Sequence, residues 1–367
     1  MIVGIMSMQR VRNYGSFLQA FGLKKIIESM GHTVKFVDYK VEASVVGNDA
    51  RGKNENIILR VMRMLSPNYR AYRKKQIKLN STFMNFCNTY DREFLPELGV
   101  EKEYVYTPKL DVLIIGSDEV FNCTQKGKQV GYSLQLFGKD NQAKSLVSYA
   151  ASFGNTTLEK LNKYNISAEI ADALKQFNDI SVRDQNSVDI IEELCGFKPK
   201  RHIDPVLLYD FPEVDNIHIS LKDYIVVYAY ADRIQKDEAI EIRKFAREKG
   251  KKILSLGFYQ PFCDEYILST PLETLAYVKN ADYVITDTFH GTVFSIKYQI
   301  PFATIIRESN QQKLGDLLKL FNLQERSVKN VKHIRGVLDI PMKNYEIVHI
   351  LENEKLAAIN YLKSVLS

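Results

Sequence analysis

Along nearly its whole length the chain alternates short apolar runs rich in β-branched residues with stretches of helical period, which restricts it to parallel α/β architectures. The first unit is complete within forty residues. Met1 to Met6 (MIVGIM) reads as a buried strand, and Ser16 suits a helix start. Leu18, Phe21, Ile26, Ile27 and Met30 form an apolar stripe, Gly31 suits the stop, and Thr33 to Val37 is the returning strand. Further strands are expected at Asp111 to Ile115, Ser145 to Ala150 and Ile180 to Val182. Near Asp204-Pro205 the pattern restarts, with strands at Tyr224 to Tyr228, Lys252 to Leu256, Tyr283 to Ile285 and Phe302 to Ile306, separated by helices. The expectation is two doubly wound domains, residues 1–204 and 205–340, facing each other across a cleft. A helical excursion is expected over 54–88, and a final helix over 341–367 that packs back on the first half. Sheets of this kind bind ligands at the carboxyl ends of their strands.

A length of 367 residues accommodates two separate cores, and 45% hydrophobic with 26% charged residues is the balance of a globular chain. No apolar run approaches the ~18 residues of a membrane span. MIVGIMSMQR lacks a basic leader and reads as strand rather than signal peptide. Cys87, Cys123, Cys195 and Cys263 are scattered without paired spacing, which argues against a zinc site or a disulfide framework and for a reducing cytoplasm. The net charge of +6 is uneven: Arg51, Lys53, Arg60, Arg63, Arg70, Arg73, Lys74, Lys75 and Lys78 are opposed only by Glu55 within that span. Without a zinc finger or an RNP-type strand, nucleic acid is not the expected partner. Apolar residues interleaved with Arg60 and Arg63 instead suit either a helix packed on its domain or peripheral contact with an anionic membrane at its inner face.

The most chemical segment is Asp282 to Pro301, DYVITDTFHGTVFSIKYQIP. A strand runs into Thr286-Asp287-Thr288-Phe289, and His290-Gly291-Thr292 opens a helix. Free N–H groups converge at such a turn and favour an anion, and the glycine lets a ligand approach the backbone. An ordinary strand-to-helix turn with a capping threonine has the same local sequence.

Further motifs accompany it: GSDEVFN (Gly116 to Asn122), SYAASFG (Ser148 to Gly154), SVRD (Ser181 to Asp184) and HIDPVLL (His202 to Leu208), after a polar Asn13-Tyr14-Gly15-Ser16 turn. Taken in order, from about Gly4 to about Leu320, these motifs resemble the polysaccharide pyruvyl transferase family. The resemblance implies two Rossmann-like domains in a glycosyltransferase-B-like arrangement, and transfer of the enolpyruvyl unit of phosphoenolpyruvate to a sugar or a carrier-lipid-linked glycan, usually as a ketal. No cofactor or metal is implied, since phosphoenolpyruvate is the donor substrate.

On that resemblance His290 is the expected general acid, with Asp287 as an orienting neighbour or helix cap. Asp118 is expected to accept the proton of the attacking hydroxyl or to cap a helix. Arg183 is expected on phosphoenolpyruvate, or in an ion pair with Asp184 or Asp179. Many relatives carry arginine two residues before the histidine, where this chain has Thr288. The phosphate would then rest on Thr288, Gly291 and Thr292 at the helix terminus, or on Arg307, whose other reading is a pair with Glu308. Asn13, Tyr14, Gly15, Ser16, Ser117, Asn122, Tyr149 and Ser152 are expected along the acceptor sugar, and His202 is read as structural. A nucleotide-sugar glycosyltransferase of the same architecture and a non-catalytic sugar-binding protein are the competing readings.

Overall fold

The computed structural model describes residues 1–46, 77, 80–125 and 130–367. It contains two wholly parallel sheets of six strands each. The first comprises β1 (Ile2–Met6), β2 (Thr33–Phe36), β3 (Leu110–Asp118), β4 (Ala143–Ala151), β5 (Ser181–Val182) and β6 (Lys200–Arg201), in the order β2-β1-β3-β4-β5-β6. The second comprises β7 (Tyr224–Tyr228), β8 (Lys252–Leu256), β9 (Glu265–Ile267), β10 (Tyr283–Thr286), β11 (Phe302–Ile305) and β12 (Ser327–Val328), in the order β12-β11-β10-β7-β8-β9. Inner strands such as β7, YIVVY, are buried at every residue because helices cover both faces. The edge strands β6, β9 and β12 escape the sequence reading, since runs of two or three residues carry no period.

Each sheet reverses its winding once. The reversal lies between β1 and β3 in the first, where Met6 pairs with Ile115, and between β7 and β10 in the second, where Tyr228 pairs with Thr286. Loops leaving such paired strands diverge and open a crevice, the usual ligand position in open α/β sheets.

Helix α1 (Tyr14–Ser29) lies between the halves, and twelve of its sixteen residues are buried. Asn13 caps it by accepting from Gly15 N at 2.7 Å, so the helix begins before the expected Ser16. Phe17 stacks on Phe21 at 5.9 Å and meets Tyr90 and Phe94 edge-on, while Phe21 stacks on Phe211 at 6.1 Å. One apolar cluster therefore runs without a break from Val3 and Phe17 to Val226 and Phe294. The outer faces of the sheets carry their own clusters, around Phe121 and Phe137 and around Ile225 and Phe245. Of the excursion expected over 54–88, residues 80–89 are helical and continue through Tyr90–Phe94 and Leu95–Leu98. The basic cluster of residues 51–78, and the membrane contact read from it, lies outside the described residues. The last helix (Asn344–Val365) lies on the first half, where Tyr361 Oη donates to Ser148 O at 2.7 Å and its ring meets His202 at 4.6 Å.

The shared core predicts that Phe17→Ala costs about 3–5 kcal/mol and lowers the denaturant midpoint in a single transition. Two separated transitions by fluorescence and circular dichroism would show that the halves do not depend on α1 in common.

Candidate active site

The two crevices face one another and enclose a cavity of about 50 Å³. Asn13 and Ser16 reach it from the segment after β1, and Asp118 and Glu119 from the end of β3. Tyr228 and Tyr230 come from the end of β7, and Thr288, Phe289 and His290 from the turn after β10. Arg183, just past β5, and Lys313, in the helix α2 (Gln311–Leu320) that follows β11, complete the lining. Asn13 Nδ2 donates across the junction to Tyr230 Oη at 3.3 Å.

His290 sits in the first turn of the helix α3 (Phe289–Tyr298), capped by Thr288, whose Oγ1 accepts from Gly291 N at 2.9 Å. A Cβ on Gly291 would come within 2.1 Å of Thr286 Oγ1, so this cap needs glycine. A Cβ on Gly15 would come within 2.2 Å of His290 Cγ and Nδ1. The start of α1 is thus the wall against which the imidazole rests, with Phe289 and Phe294 at 5.4 and 6.1 Å on its other sides. His290 Nε2 stands 3.6 Å from Asp204 Oδ2 and has no hydrogen-bond partner among the described residues. Asp287 is not its neighbour. That carboxylate turns to Arg233 Nε at 2.8 Å and to the backbone N of Tyr230, because it leaves β10 on the side facing the second half's own loops.

Arg183 is the electrostatic centre. Its terminal nitrogens reach Asp118 Oδ1 at 3.1 Å and Asp204 Oδ2 at 2.9 Å, and its guanidinium lies 4.2 Å over the Phe289 ring. Neither Asp184 nor Asp179 pairs with it: Asp184 caps the next helix by accepting from Ser187 N, and Asp179 pairs with Lys200. Burial opposes the Asp118 carboxylate, but Arg183 and His290 outweigh it and hold its pKa below the ordinary 3.8. Burial likewise opposes Asp204, and the neighbouring His290 and Arg183 outweigh it and hold its pKa low. Asp118 also accepts from Ser16 Oγ at 2.9 Å and from Glu119 N, and its backbone stands at φ 77°. A left-handed aspartate costs about 1–3 kcal/mol and persists only where its surroundings demand it. Opposite, Lys313 Nζ meets Glu119 Oε1 at 2.5 Å. Among the described residues no cluster of three or more His, Cys, Asp or Glu side chains is placed to hold a metal ion.

A family model described as polysaccharide pyruvyl transferase matches residues 13–309. The chain belongs to that family. No curated protein matches it. Among solved structures, a UDP complex of S. aureus MnaA matches with a TM-score of 0.51 and 10% identity, covering 100% of this chain and 96% of that one. A putative UDP-N-acetylglucosamine 2-epimerase from Listeria monocytogenes matches at 0.50 and 10%, with the same coverage. At such identity the likeness concerns the fold alone, two Rossmann-like domains of the glycosyltransferase-B kind.

The pyruvyl transferase fold brings together part of the residue set expected from sequence. His290, Asp118, Arg183, Thr288, Asn13 and Ser16 line one cavity. Gly15 serves as the spacer beside His290 rather than as a sugar contact. Tyr14 Oη donates to Ser269 O inside the core. Tyr149 is fully buried, donates to Ile203 O at 3.0 Å and stacks near His202, and it does not line the cavity. Ser152 Oγ is taken by Asp184, and Ser117 Oγ by Ala150 O. Asn122 accepts from Thr124 and Thr156 and steadies Glu119 through its Nδ2 at 2.8 Å. Gly291 has its N–H on Thr288, and Thr292 Oγ1 bonds within the helix and to Thr304. Arg307 is clamped by both oxygens of Glu238 at 2.6 Å, not by Glu308, and lines the neighbouring cleft rather than the cavity. His202 shares a proton with Ser181 Oγ at 2.7 Å, and burial lowers its pKa to about 4, so it is neutral at pH 7.

Asp204, Glu119, Lys313, Tyr228, Tyr230 and Phe289 are site residues to which the sequence reading gave no role. Asp204 and Glu119 stand inside quoted motifs, directly after strands, which is the one available signal. Lys313 has none, since it occupies an ordinary amphipathic helix. Beside the cavity lies an open cleft of about 820 Å³, lined by Asn155, Thr157 and Lys160 of the first half and by Asp232, Arg233, Gln235, Arg307, Glu308, Ser309, Gln311 and Gln312 of the second.

Two expectations follow. Gly15→Ala should displace the His290 ring and cut turnover about 100-fold while circular dichroism stays native; full activity would show that His290 does not need this wall. Asp118 and Asp204 have folded pKa values below the unfolded ones, so their stabilisation is complete above pH 3.8 and is lost as pH falls through the folded values. Asp204→Asn should therefore be less stable at pH 7, by up to about 3–5 kcal/mol, and should lose less on acidification. Urea midpoints between pH 7 and pH 2 check this, and parallel curves for both proteins would contradict it.

Proposed function

We propose that the protein transfers the enolpyruvyl unit of phosphoenolpyruvate to two hydroxyls of a sugar, forming a cyclic ketal and inorganic phosphate. The observation that carries the reading is His290: a buried imidazole at a helix amino terminus, resting on Gly15, with an unpartnered Nε2 beside Asp204 and Arg183. Membership of the polysaccharide pyruvyl transferase family supports it.

The chemistry asks for one acid, one hydroxyl acceptor and compensation of negative charge. His290, acting as imidazolium 3.6 Å from the Asp204 carboxylate, protonates the methylene carbon, and the central carbon takes the positive charge. A sugar oxygen attacks that carbon, the carbon–oxygen bond to phosphate breaks, and a second hydroxyl closes the ring. Of the two hydroxyl protons lost, one replaces the proton that His290 gave to carbon and the other leaves on phosphate. Asp118, held ionised by Arg183, is suited to accept a hydrogen bond from the attacking hydroxyl. Its low pKa makes it an orienting acceptor more than a resting place for the proton.

The acceptor is read into the neighbouring cleft. Side-chain amides of Asn155, Gln235, Gln311 and Gln312 and the Thr157 hydroxyl both donate and accept, as a polyhydroxylated ligand requires. Gln312 lines the cleft while Lys313 lines the cavity, so the two spaces adjoin. A glycan lying there would present its terminal hydroxyls to the cavity.

Phosphate release from phosphoenolpyruvate, measured with and without sugar acceptors, tests the reading. His290→Ala and His290→Gln should each lower kcat by about two to four orders of magnitude with unchanged melting temperature. Retention of a third of the activity by His290→Ala would remove it from the mechanism. Release of nucleoside diphosphate from a nucleotide sugar, without phosphate release, would favour the glycosyltransferase reading, and neither reaction would favour a sugar-binding protein.

A further inference from the structure

We propose that Lys313 is the cation that takes the phosphate of phosphoenolpyruvate, and that Glu119 is the internal anion it releases when the phosphate arrives. This rests on the phosphoenolpyruvate reading above and names the group that completes it.

Phosphoenolpyruvate brings up to three negative charges into a cavity already lined by two carboxylates, Asp118 and Glu119, with Asp204 behind them. Among the described residues, the lining offers two permanent cations, Arg183 and Lys313. Arg183 is committed. Its side chain is 2% exposed, it holds Asp118 and Asp204 at once, and moving it would take the arginine charge from two buried carboxylates. Arg307 is committed elsewhere, to Glu238. Position 288 carries a hydroxyl that already caps its helix.

Lys313 differs on each count. It holds one carboxylate through one contact, and both partners keep about a fifth of their side-chain surface exposed, at 21% and 18%. An ammonium on a four-carbon stem can change partner by rotating. A phosphate dianion at the same distance attracts it about twice as strongly as a carboxylate. Glu119 would not be abandoned by the exchange, because Asn122 Nδ2 continues to donate to it at 2.8 Å. Burial works against the Lys313 ammonium, yet Glu119 and the Tyr230 oxygen hold its pKa above the ordinary value, so the charge is present at neutral pH.

The position of the pair adds a consequence. Glu119 directly follows β3 of the first half and Lys313 belongs to the second, so their bond spans the junction. It also stands between cavity and cleft: Gly154, next to the cleft residue Asn155, abuts Glu119 Oε2, and Gln312 of the cleft precedes Lys313. Phosphate binding then exchanges a bond across the mouth for a bond to substrate and turns Glu119 toward the acceptor side.

Calorimetric titration separates this role from that of a structural bridge. Lys313→Met should weaken phosphoenolpyruvate at least about tenfold, the loss of one charge-assisted hydrogen bond. Glu119→Gln, which removes the competing anion, should tighten it. Inorganic phosphate, which probes the phosphate end alone, should follow the same order, and pyruvate should be indifferent to both substitutions. A structural bridge would make the two variants alike, both less stable in thermal melts and neither changed in phosphate affinity; that result overturns the proposal. If the wild-type protein binds phosphoenolpyruvate and Lys313→Met binds it equally well, the proposal fails while the wider reading stands. If the wild-type protein binds none, the wider reading fails and takes the proposal with it.

Discussion

Arg183 lies between Asp118 and Asp204 with almost no exposed surface, and the site is assembled around that one guanidinium. Three separate chain segments, the ends of β3, β5 and β6, deliver these groups, and none could be buried alone as an ion. Together they leave one negative charge facing the second half, which is where His290 stands. The cation does more than neutralise. It keeps Asp118 ionised despite burial, lies flat on Phe289, and so links the charge cluster to the turn that carries the imidazole. Removing Arg183 would strand two buried carboxylates, a cost of about 3–5 kcal/mol or more.

The second constraint is that two crevices must meet. Each sheet opens a crevice where its winding reverses, and the helix α1 between the sheets holds the two openings together. Gly15 shows how close the approach is, because α1 touches the His290 ring where any side chain would stand. Function and cohesion therefore share the same contacts. Tyr14, Phe17 and Phe21 bind the halves through the core, and Asn13 and Ser16, on neighbouring positions, line the cavity.

The chemistry divides along the same junction. His290 comes from the second half and its carboxylate neighbour Asp204 from the first, while the Glu119–Lys313 pair repeats the arrangement at the mouth. Among the described residues no helix is long and apolar enough to cross a membrane.

Much of the fold was legible because it is encoded locally. Continuous apolar runs such as Tyr224 to Tyr228, helix stops such as Gly31, and the His290-Gly291 turn depend on neighbours within a few residues, and the structure places them where the pattern indicated. Family membership is legible for the same reason, as a series of local motifs. What the sequence could not decide was direction and partnership. In an extended segment successive side chains point to opposite faces, and only packing settles which face meets the cleft. Thus Tyr149 and Ser152 bond away from the cavity while Asp118 lines it, and Asp287 turns from His290 while distant Asp204 faces it. Partner choice among charges is a matter of distance in space, so Arg307 is claimed by Glu238 and Lys313 enters the site from an unremarkable helix. The sequence by itself determined the elements and the chemistry they carry; the tertiary structure decided which of those groups can reach one another.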